Sequence, residues 1–288
     1  MVKKYSDLCM ELRRTLAKNG DLQPALTARE LVAAASEKTM EQLLRDMQLY
    51  ATDEAIRRLR DLESRYLQGE PLAYLLGRWS FYGLPMVVAP EVLIPRDDTM
   101  VVTALALEAI KETENPRVLD LCTGSGCIGV AIAHFRPDAR VTMADISLAA
   151  LQVAKDNAAL NNVSKRVNLL QVDACQPAPA FLGEFDVIVS NPPYITGAEM
   201  LELDTSVKDY EPHLALFGGD DGLDFYRHIC RNFRPCLKED GCLCFEFGMG
   251  QETAVGDILK ENNFEDLTFC RDTSNIMRAV MARKNGKE

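Results

Sequence analysis

RVLDLCTGSGCIG, residues 117–129, decides the fold. Its first six residues form a short, mostly apolar run of strand length that ends at a glycine turn. Gly124, Gly126 and Gly129 match G-x-G-x-x-G, and CIGVAIAHF continues as a helix. Glycines in that place allow a tight turn and let a ligand come close to the backbone. Gly126 and Gly129 have a second reading, in which they only allow the helix to pack closely. Asp145 ends the next strand, RVTMAD (140–145). A carboxylate there can accept hydrogen bonds from both hydroxyls of a ribose, and it can also cap the helix that begins near Ser147. Asp173 ends a third strand, VNLLQVD (167–173), on the same rim, where it or the backbone after it can meet an adenine edge. NAD, FAD and S-adenosylmethionine all carry adenosine, and the glycine turn with its acid suits all three.

Outward from this stretch, strand and helix signals alternate. LAALQVAKDNAALN, LDFYRHICRNFRPCL and QETAVGDILKEN read as helices, and FDVIVS (185–190) and CLCFEF as buried strands. FEDLTFCRD and IMRAVMAR follow each other closely as two final strands. The pattern predicts an α/β domain with a mostly parallel seven-stranded sheet and helices on both faces. The short connection between the final two strands predicts that the last one enters antiparallel.

Residues 1–74 read instead as a helical bundle. Thr27 with Glu30, and Thr39 with Gln42, have capping-box spacing, and Gly20 and Gly69 sit where helices end. Leu8, Leu12 and Leu16 share one face, as do Ile56, Leu59, Leu62 and Tyr66. Residues 75–95, cut by Gly83, Pro85, Pro90 and Pro95, read as a hairpin linker. Its Trp79 is expected to be a packing residue. Residues 96–288 form the α/β domain.

With 47% hydrophobic and 26% charged residues, the 288-residue chain has ample material for a core. No apolar run approaches the ~20 residues of a membrane helix, and no secretory leader is apparent. The net charge of −11 disfavours a nucleic acid partner. Nine scattered cysteines without C-x-x-C fit free thiols in a reducing cytoplasm, with no zinc site. His134, His213 and His228 lack metal-ligand spacing.

The chemistry is carried by Asn191-Pro192-Pro193-Tyr194, which strand 185–190 delivers to the carboxyl edge of the sheet. An amide or aniline-like nitrogen is a poor nucleophile because its lone pair is delocalised. The Asn191 side-chain oxygen and the Pro192 carbonyl can each accept one N–H of a planar NH₂ group, which fixes the nitrogen and frees its lone pair. The prolines remove competing N–H donors, and Tyr194 offers a flat face. The alternative is a plain Asn-Pro turn after a strand.

D-L-C-T-G-S-G (120–126) followed by N-P-P-Y (191–194) resembles the S-adenosylmethionine-dependent N-methyltransferases. Q-G-E-P-L-A-Y-L-L-G (68–77), F-Y-G-L (81–84), I-P-R-D-D-T (94–99) and Y-E-P-H-L-A-L-F-G-G-D-D-G-L (210–223) narrow it. The chain is similar, over nearly its whole length, to the release factor glutamine methyltransferases of the HemK/PrmC type. That resemblance implies a Rossmann-like methyltransferase domain behind a helical substrate-recognition domain. It implies methylation of the N5 amide of the Gln in the Gly-Gly-Gln motif of class 1 peptide-chain release factors, in support of translation termination, by a cytoplasmic monomer without a metal. By the same resemblance Cys122, Thr123, Gly124, Ser125 and Gly126 form the methionine-side loop, Asp145 holds the ribose, and Asp173 and Ala174 lie at the adenine. Asn191 touches cofactor and substrate, and Asn191, Pro192, Pro193 and Tyr194 hold the glutamine. The sequence departs from the family pattern at Cys122, where glycine is usual, at Met100, where an acid is usual, and at Ala174, where a larger residue is usual.

Three other functions share parts of this pattern: N6-adenine methylation of nucleic acid, glutamine methylation of a ribosomal protein, and non-catalytic nucleoside binding. Arg96, Asp97 and Asp98 read as a helix cap with a local ion pair or as a wall of the substrate site. Glu246, within an apolar strand, is either polar lining or a buried hydrogen-bonded group. The 199–211 stretch reads as a solvated loop, and Glu211-Pro212 with Gly218–Gly222 as shaping a loop beside the active site, without a catalytic role.

Overall fold

The computed structural model describes residues 3–286, which divide into two compact units. The first runs to Arg78 and also takes in Thr205–Tyr210, and the second comprises Trp79–Asp204 and the chain from Glu211 onward.

The first unit carries helices α1 (Tyr5–Lys18), α2 (Pro24–Ala35), α3 (Met40–Arg45), α4 (Asp53–Leu67) and α5 (Leu72–Leu76). Leu8, Leu12 and Leu16 of α1 are buried together with Leu31, Val32, Leu43 and Leu59, while Ile56, Leu62 and Tyr66 pack partly buried against them. The Thr39–Gln42 capping box forms at the start of α3. The expected box at Thr27 does not. Pro24 occupies the first turn of α2, where its missing N–H costs nothing, so the helix begins earlier. Thr27 lies inside α2 and its hydroxyl donates to the Gln23 carbonyl at 3.3 Å.

In the second unit, strands β1 (Arg78–Phe81) and β2 (Leu84–Val87) form the hairpin. Trp79 is 39% exposed rather than packed away. There follow α6 (Thr99–Ala109), β3 (Arg117–Leu121), α7 (Cys127–Phe135), β4 (Arg140–Asp145), α8 (Leu148–Leu160), β5 (Val167–Gln171) and β6 (Phe185–Ser190). The 199–211 stretch is not a plain loop, because it carries the short helices α9 (Glu199–Glu202) and, within the first unit, α10 (Thr205–Lys208). The chain then continues through α11 (Asp224–Phe233), β7 (Leu237–Glu246), α12 (Glu252–Glu261), β8 (Phe264–Arg271) and β9 (Met277–Lys284).

The sheet has seven strands in the order β5-β4-β3-β6-β7-β9-β8. β9 pairs antiparallel with both β7 and β8, while β3, β4, β5, β6 and β7 pair in parallel. The last strand is therefore the antiparallel one, as its short connection predicts. Alternation along the strands feeds two cores. Val118, Val141, Met143, Val187 and Val189 join α6, α7 and α8 on one face. Leu119, Leu121, Ile188 and Phe245 join α11 and α12 on the other. From β3 the chain adds strands in one direction through β4 and β5, and from β6 in the other. This switch between β3 and β6 opens a crevice at their carboxyl ends.

Candidate active site

A cavity of about 460 Å³ opens at that switch. Of the residues singled out in the sequence, Cys122, Thr123, Gly124, Ser125, Asp145, Asp173, Ala174, Asn191 and Pro193 line it. Gly126, Pro192 and Tyr194 do not line it and serve as its frame. They come together because each follows the carboxyl end of β3, β4, β5 or β6, adjacent strands in parallel register.

The glycines divide the work. A Cβ on Gly129 would lie 2.6 Å from Met143 Cγ and 2.9 Å from Asp120 Oδ2, and one on Gly126 would lie 2.9 Å from Ala154 Cβ. These two let α7 press onto β4 and α8. Gly124 has open space at its Cβ position and a φ of +53°, so it supplies the turn that faces the cavity. Cys122 takes a φ of +60° without being glycine. Burial, and then the charge of Asp145, push its thiol well above the ordinary range, so it carries no nucleophilic thiolate.

Asp145 accepts the Gly124 amide on Oδ2 at 2.9 Å and the Ser147 amide on Oδ1 at 2.9 Å. Helix α8 is capped by the Ser147 side chain, which accepts from Ala150 at 3.2 Å, so Asp145 is not the cap. Burial raises the Asp145 pKa while the backbone N–H groups oppose it. Asp120 lies beneath the loop, fully buried, and accepts the Thr123 hydroxyl and the Gly129 amide. Desolvation pushes it up to about 7. Asn157, also buried, ties three segments, since its amide group donates to the Ser125 and Val87 carbonyls, both at 2.9 Å, and accepts the Val87 amide. Asp173 accepts the Cys175 amide at 2.8 Å, which shapes the backbone turn beside Ala174.

The Asn191–Tyr194 loop is gripped by glycines from elsewhere. A Cβ on Gly218 would sit 2.6 Å from Tyr194 Cα, and one on Gly222 would sit 2.3 Å from the Tyr194 carbonyl oxygen. Ile195 pairs with Phe217 in a parallel bridge, so the 218–222 segment lies against the loop as expected. Gln251 Nε2 donates to the Tyr194 carbonyl at 3.1 Å. Burial raises the Tyr194 hydroxyl pKa and keeps the phenol neutral. Asn191 Nδ2 donates to the Thr99 hydroxyl at 3.2 Å.

Asp98 stands at the start of α6 without making a cap bond, and the expected local ion pair is replaced by distant ones. Arg96 pairs with the buried Glu211, which also accepts the Ile94 amide at 3.2 Å. Asp98 meets Arg278 at 3.4 Å. Arg96 and Thr99 line the cavity, so this segment is one of its walls.

Sequence reasoning missed Val92, Ile146, Val172, Leu214 and Phe225, which give the cavity its apolar walls. Ile146 carried a usable signal, being a large apolar residue directly after the rim acid, and it is 43% exposed. Gln251 carried none, because its partner is remote in sequence, and the sequence reads Glu211 only as part of a loop beside the site, without its ion pair to the remote Arg96. Among the described residues, no group of three or more His, Cys, Asp or Glu is placed to hold a metal, and no helix is long and apolar enough to cross a membrane.

Sheet order, glycine turn and rim acid together define a Rossmann-like methyltransferase. Residues 96–207 match the methyltransferase small domain and residues 7–77 the PrmC N-terminal domain. The chain is 38% identical to the release factor glutamine methyltransferase of Bradyrhizobium diazoefficiens over 280 residues, covering 94% of this chain and 93% of that one. It is 35% identical to that of Fusobacterium nucleatum over 270 residues, covering 93% and 76%. A methyltransferase from Pyrococcus furiosus shares the fold, with a TM-score of 0.50 at 16% identity over 78% of this chain and 98% of that one. The chain belongs to the release factor glutamine methyltransferase family. Fold and family imply S-adenosylmethionine as methyl donor. The cavity fits such a group. Its volume is that of a small-molecule site, its walls are apolar, a carboxylate stands at the rim, and the open side of Gly124 leaves the backbone approachable.

Proposed function

We propose that this chain methylates the N5 side-chain amide of the Gln in the Gly-Gly-Gln motif of class 1 peptide-chain release factors, using S-adenosylmethionine and no metal. The observation that carries this reading is the placement of Asn191 on the same cavity as Gly124 and Asp145, with its N–H group directed to Thr99. The Asn191 oxygen is then the polar end left for a ligand, an acceptor where an amide NH₂ must be held.

Asp145 would hold the ribose, Asp173 and Ala174 the adenine edge, and the Cys122–Gly126 loop the methionine portion. When bound, the cofactor supplies an electrophilic methyl group on a sulfonium that departs as a neutral thioether. The Asn191 oxygen and the Pro192 carbonyl accept the two N–H groups of the substrate amide and hold its nitrogen with the lone pair free. Acceptors aimed at the positive charge that develops on that nitrogen stabilise the transition state more than the ground state, and once the N–CH₃ bond has formed one of the two N–H protons is released to water, leaving the neutral N-methyl amide. Pro193 and Tyr194 shape the wall against which the planar amide lies.

Residues 1–74 serve substrate recognition, 75–95 link, and 96–288 catalyse. The enzyme works as a monomer in the cytoplasm on a protein substrate, without nucleic acid or membrane. Incubation of the purified protein with S-adenosylmethionine and a purified release factor, followed by mass mapping, tests the reading. One methyl group on the Gly-Gly-Gln glutamine is expected. A methyl group only on a ribosomal protein or a nucleic acid, or none on any of them, overturns it.

A further inference from the structure

Asn191 can hold a substrate amide only if the backbone that carries it is itself held. β6 fixes one end of that backbone. Ser190 lies in register with Leu121 of β3, and its hydroxyl donates to the Leu121 carbonyl at 2.6 Å. Beyond Asn191, Pro192 and Pro193 have no N–H with which to tie the chain down. They stiffen it instead. Each proline has a fixed φ, and Asn191 and Pro192, both followed by proline, are confined to extended backbone. A shift at Tyr194 is therefore passed along to Asn191 rather than absorbed between them.

The far end of the run is the peptide group between Tyr194 and Ile195, and it is held at both edges. The Ile195 N–H donates to the Leu216 carbonyl at 2.9 Å. The Tyr194 carbonyl accepts from Gln251 Nε2 at 3.1 Å, and the same NH₂ group donates to the Gly222 carbonyl at 3.4 Å. Gln251 Oε1 accepts the Gly248 amide at 2.9 Å. One side chain thus ties together the Asn191–Tyr194 loop, the 218–222 segment and the turn after β7. Its direction is fixed by its partners, since two carbonyls require the NH₂ end and a backbone N–H requires the oxygen.

Two further features belong to this tie. Gln251 directly precedes α12, where a side chain ordinarily accepts an N–H of the first helical turn. Gln251 makes no such bond among the described residues, so the helix does not account for its side chain. Gly222 has a φ of +73°, and a Cβ there would lie 2.7 Å from Gln251 Nε2 and 2.3 Å from the Tyr194 carbonyl oxygen. That glycine leaves the room in which the bond is made.

We propose that Gln251 is a positioning residue for methyl transfer. By pinning the Tyr194–Ile195 peptide it sets, through the two prolines, where the Asn191 oxygen and the Pro192 carbonyl meet the substrate amide. This inference rests on the amide-methylation reading above.

The test compares Gln251→Met, which removes donor and acceptor at similar length, with Gln251→Glu, which keeps an acceptor for Gly248 but turns an oxygen on the two carbonyls. Single-turnover transfer to the release factor, at saturating cofactor and substrate and at pH 8, where the new carboxyl is ionised, is measured apart from S-adenosylmethionine affinity. Both variants should transfer about 10–100-fold more slowly, the scale for a displaced reacting group. Cofactor affinity should stay within about threefold of wild type, because Gln251 does not line the cavity. A wild-type rate in either variant, or a loss of cofactor affinity that matches the loss of rate, overturns the proposal. A second measurement needs no substrate. The Ile195 and Gly218 amides, the latter donating to the Ile195 carbonyl at 2.9 Å, join the loop to the 216–218 segment. In Gln251→Met their hydrogen exchange should be about fivefold faster than in wild type, as for the loss of one hydrogen bond, while that of Leu119 in β3 is unchanged. Equal exchange at Ile195 and Gly218 in the two proteins, or faster exchange at Leu119 as well, overturns the tie. Should Gln251→Met fail to fold, Gln251→Glu is taken through both measurements and decides alone. If wild type transfers no methyl group to the release factor yet shows this exchange pattern against the variant, the substrate reading fails and the pinning of the loop stands.

Discussion

The Asp145 carboxylate accepts the Gly124 amide at 2.9 Å, so the acid at the end of β4 holds the glycine turn at the end of β3. A single side chain is thereby part of the cavity wall and the anchor of the loop opposite. Asp145→Ala removes both contributions. Loss of hydrogen bonds to a charged group predicts a weakening of S-adenosylmethionine binding by about 1–3 kcal/mol. Asp145→Asn keeps an acceptor for Gly124 and should lose less. Isothermal titration with S-adenosylmethionine and its demethylated product checks both, and NAD binding more tightly than either would count against the methyltransferase site.

Asn191→Ala should lower methyl transfer by about 10²–10⁴, as for removal of one preorganised polar group, while the fold persists. Asn191→Asp keeps the shape but places a charge beside the cofactor sulfonium, so its effect divides between affinity and rate. Single-turnover transfer with separately measured cofactor affinity resolves the two. An Asn191→Ala protein within tenfold of wild type would mean that the amide is held elsewhere.

Cys122 has a φ of +60°, a conformation that costs a residue with a Cβ roughly 1–2 kcal/mol. Glycine relieves that strain but adds about 0.5–1 kcal/mol of unfolded-state entropy. Cys122→Gly should therefore change stability by less than about 1 kcal/mol, while the β-branched Cys122→Val should cost about 2 kcal/mol or more. Urea unfolding of the three proteins makes the comparison.

Gly129 and Gly124 should respond to alanine in opposite ways for opposite reasons. The new methyl at 129 meets Met143 and Asp120 inside contact distance, whereas at 124 it enters open space. Gly129→Ala should cost about 1–3 kcal/mol of stability through overpacking. Gly124→Ala should cost only about 1 kcal/mol through its positive φ, yet it should weaken cofactor binding more. Unfolding and titration curves on both variants would show the crossover.

Asp120 and Glu246 are each raised by burial to about 7. A folded carboxyl group that holds its proton more tightly than the unfolded one leaves the protein most stable in acid. Stability then falls as pH rises from the unfolded value, about 4, through 7, by up to about 1.4 kcal/mol per unit and group. Asp145 adds to the rise at Asp120, and Arg278 opposes that at Glu246. The thermal midpoint of wild type should drop between pH 5 and 8, and Asp120→Asn should flatten part of that slope. An identical slope in the variant would show that Asp120 is ionised throughout.

Local chemistry was enough for the elements and for the rim of the site. Strands 140–145 and 185–190 and helix 127–135 stand where apolar period and glycines put them, because those signals act over a few residues. Asp145, Asp173 and Asn191 could be placed on one rim, where they line the cavity, because each stands at or just after the end of a strand of a parallel sheet, and such strands end on one edge. Thr27 misled because Pro24 set the helix start first. What holds the rim in working shape was decided by tertiary structure alone. Thr99 meets Asn191 across 92 residues, Arg96 meets Glu211 across 115, and Gln251 meets the Tyr194 carbonyl across 57. No period or turn rule reaches over such distances. The neighbourhood of the buried Glu246 likewise exists only once the sheet order has placed β7 beside β6, with Phe245 opposite Ser190.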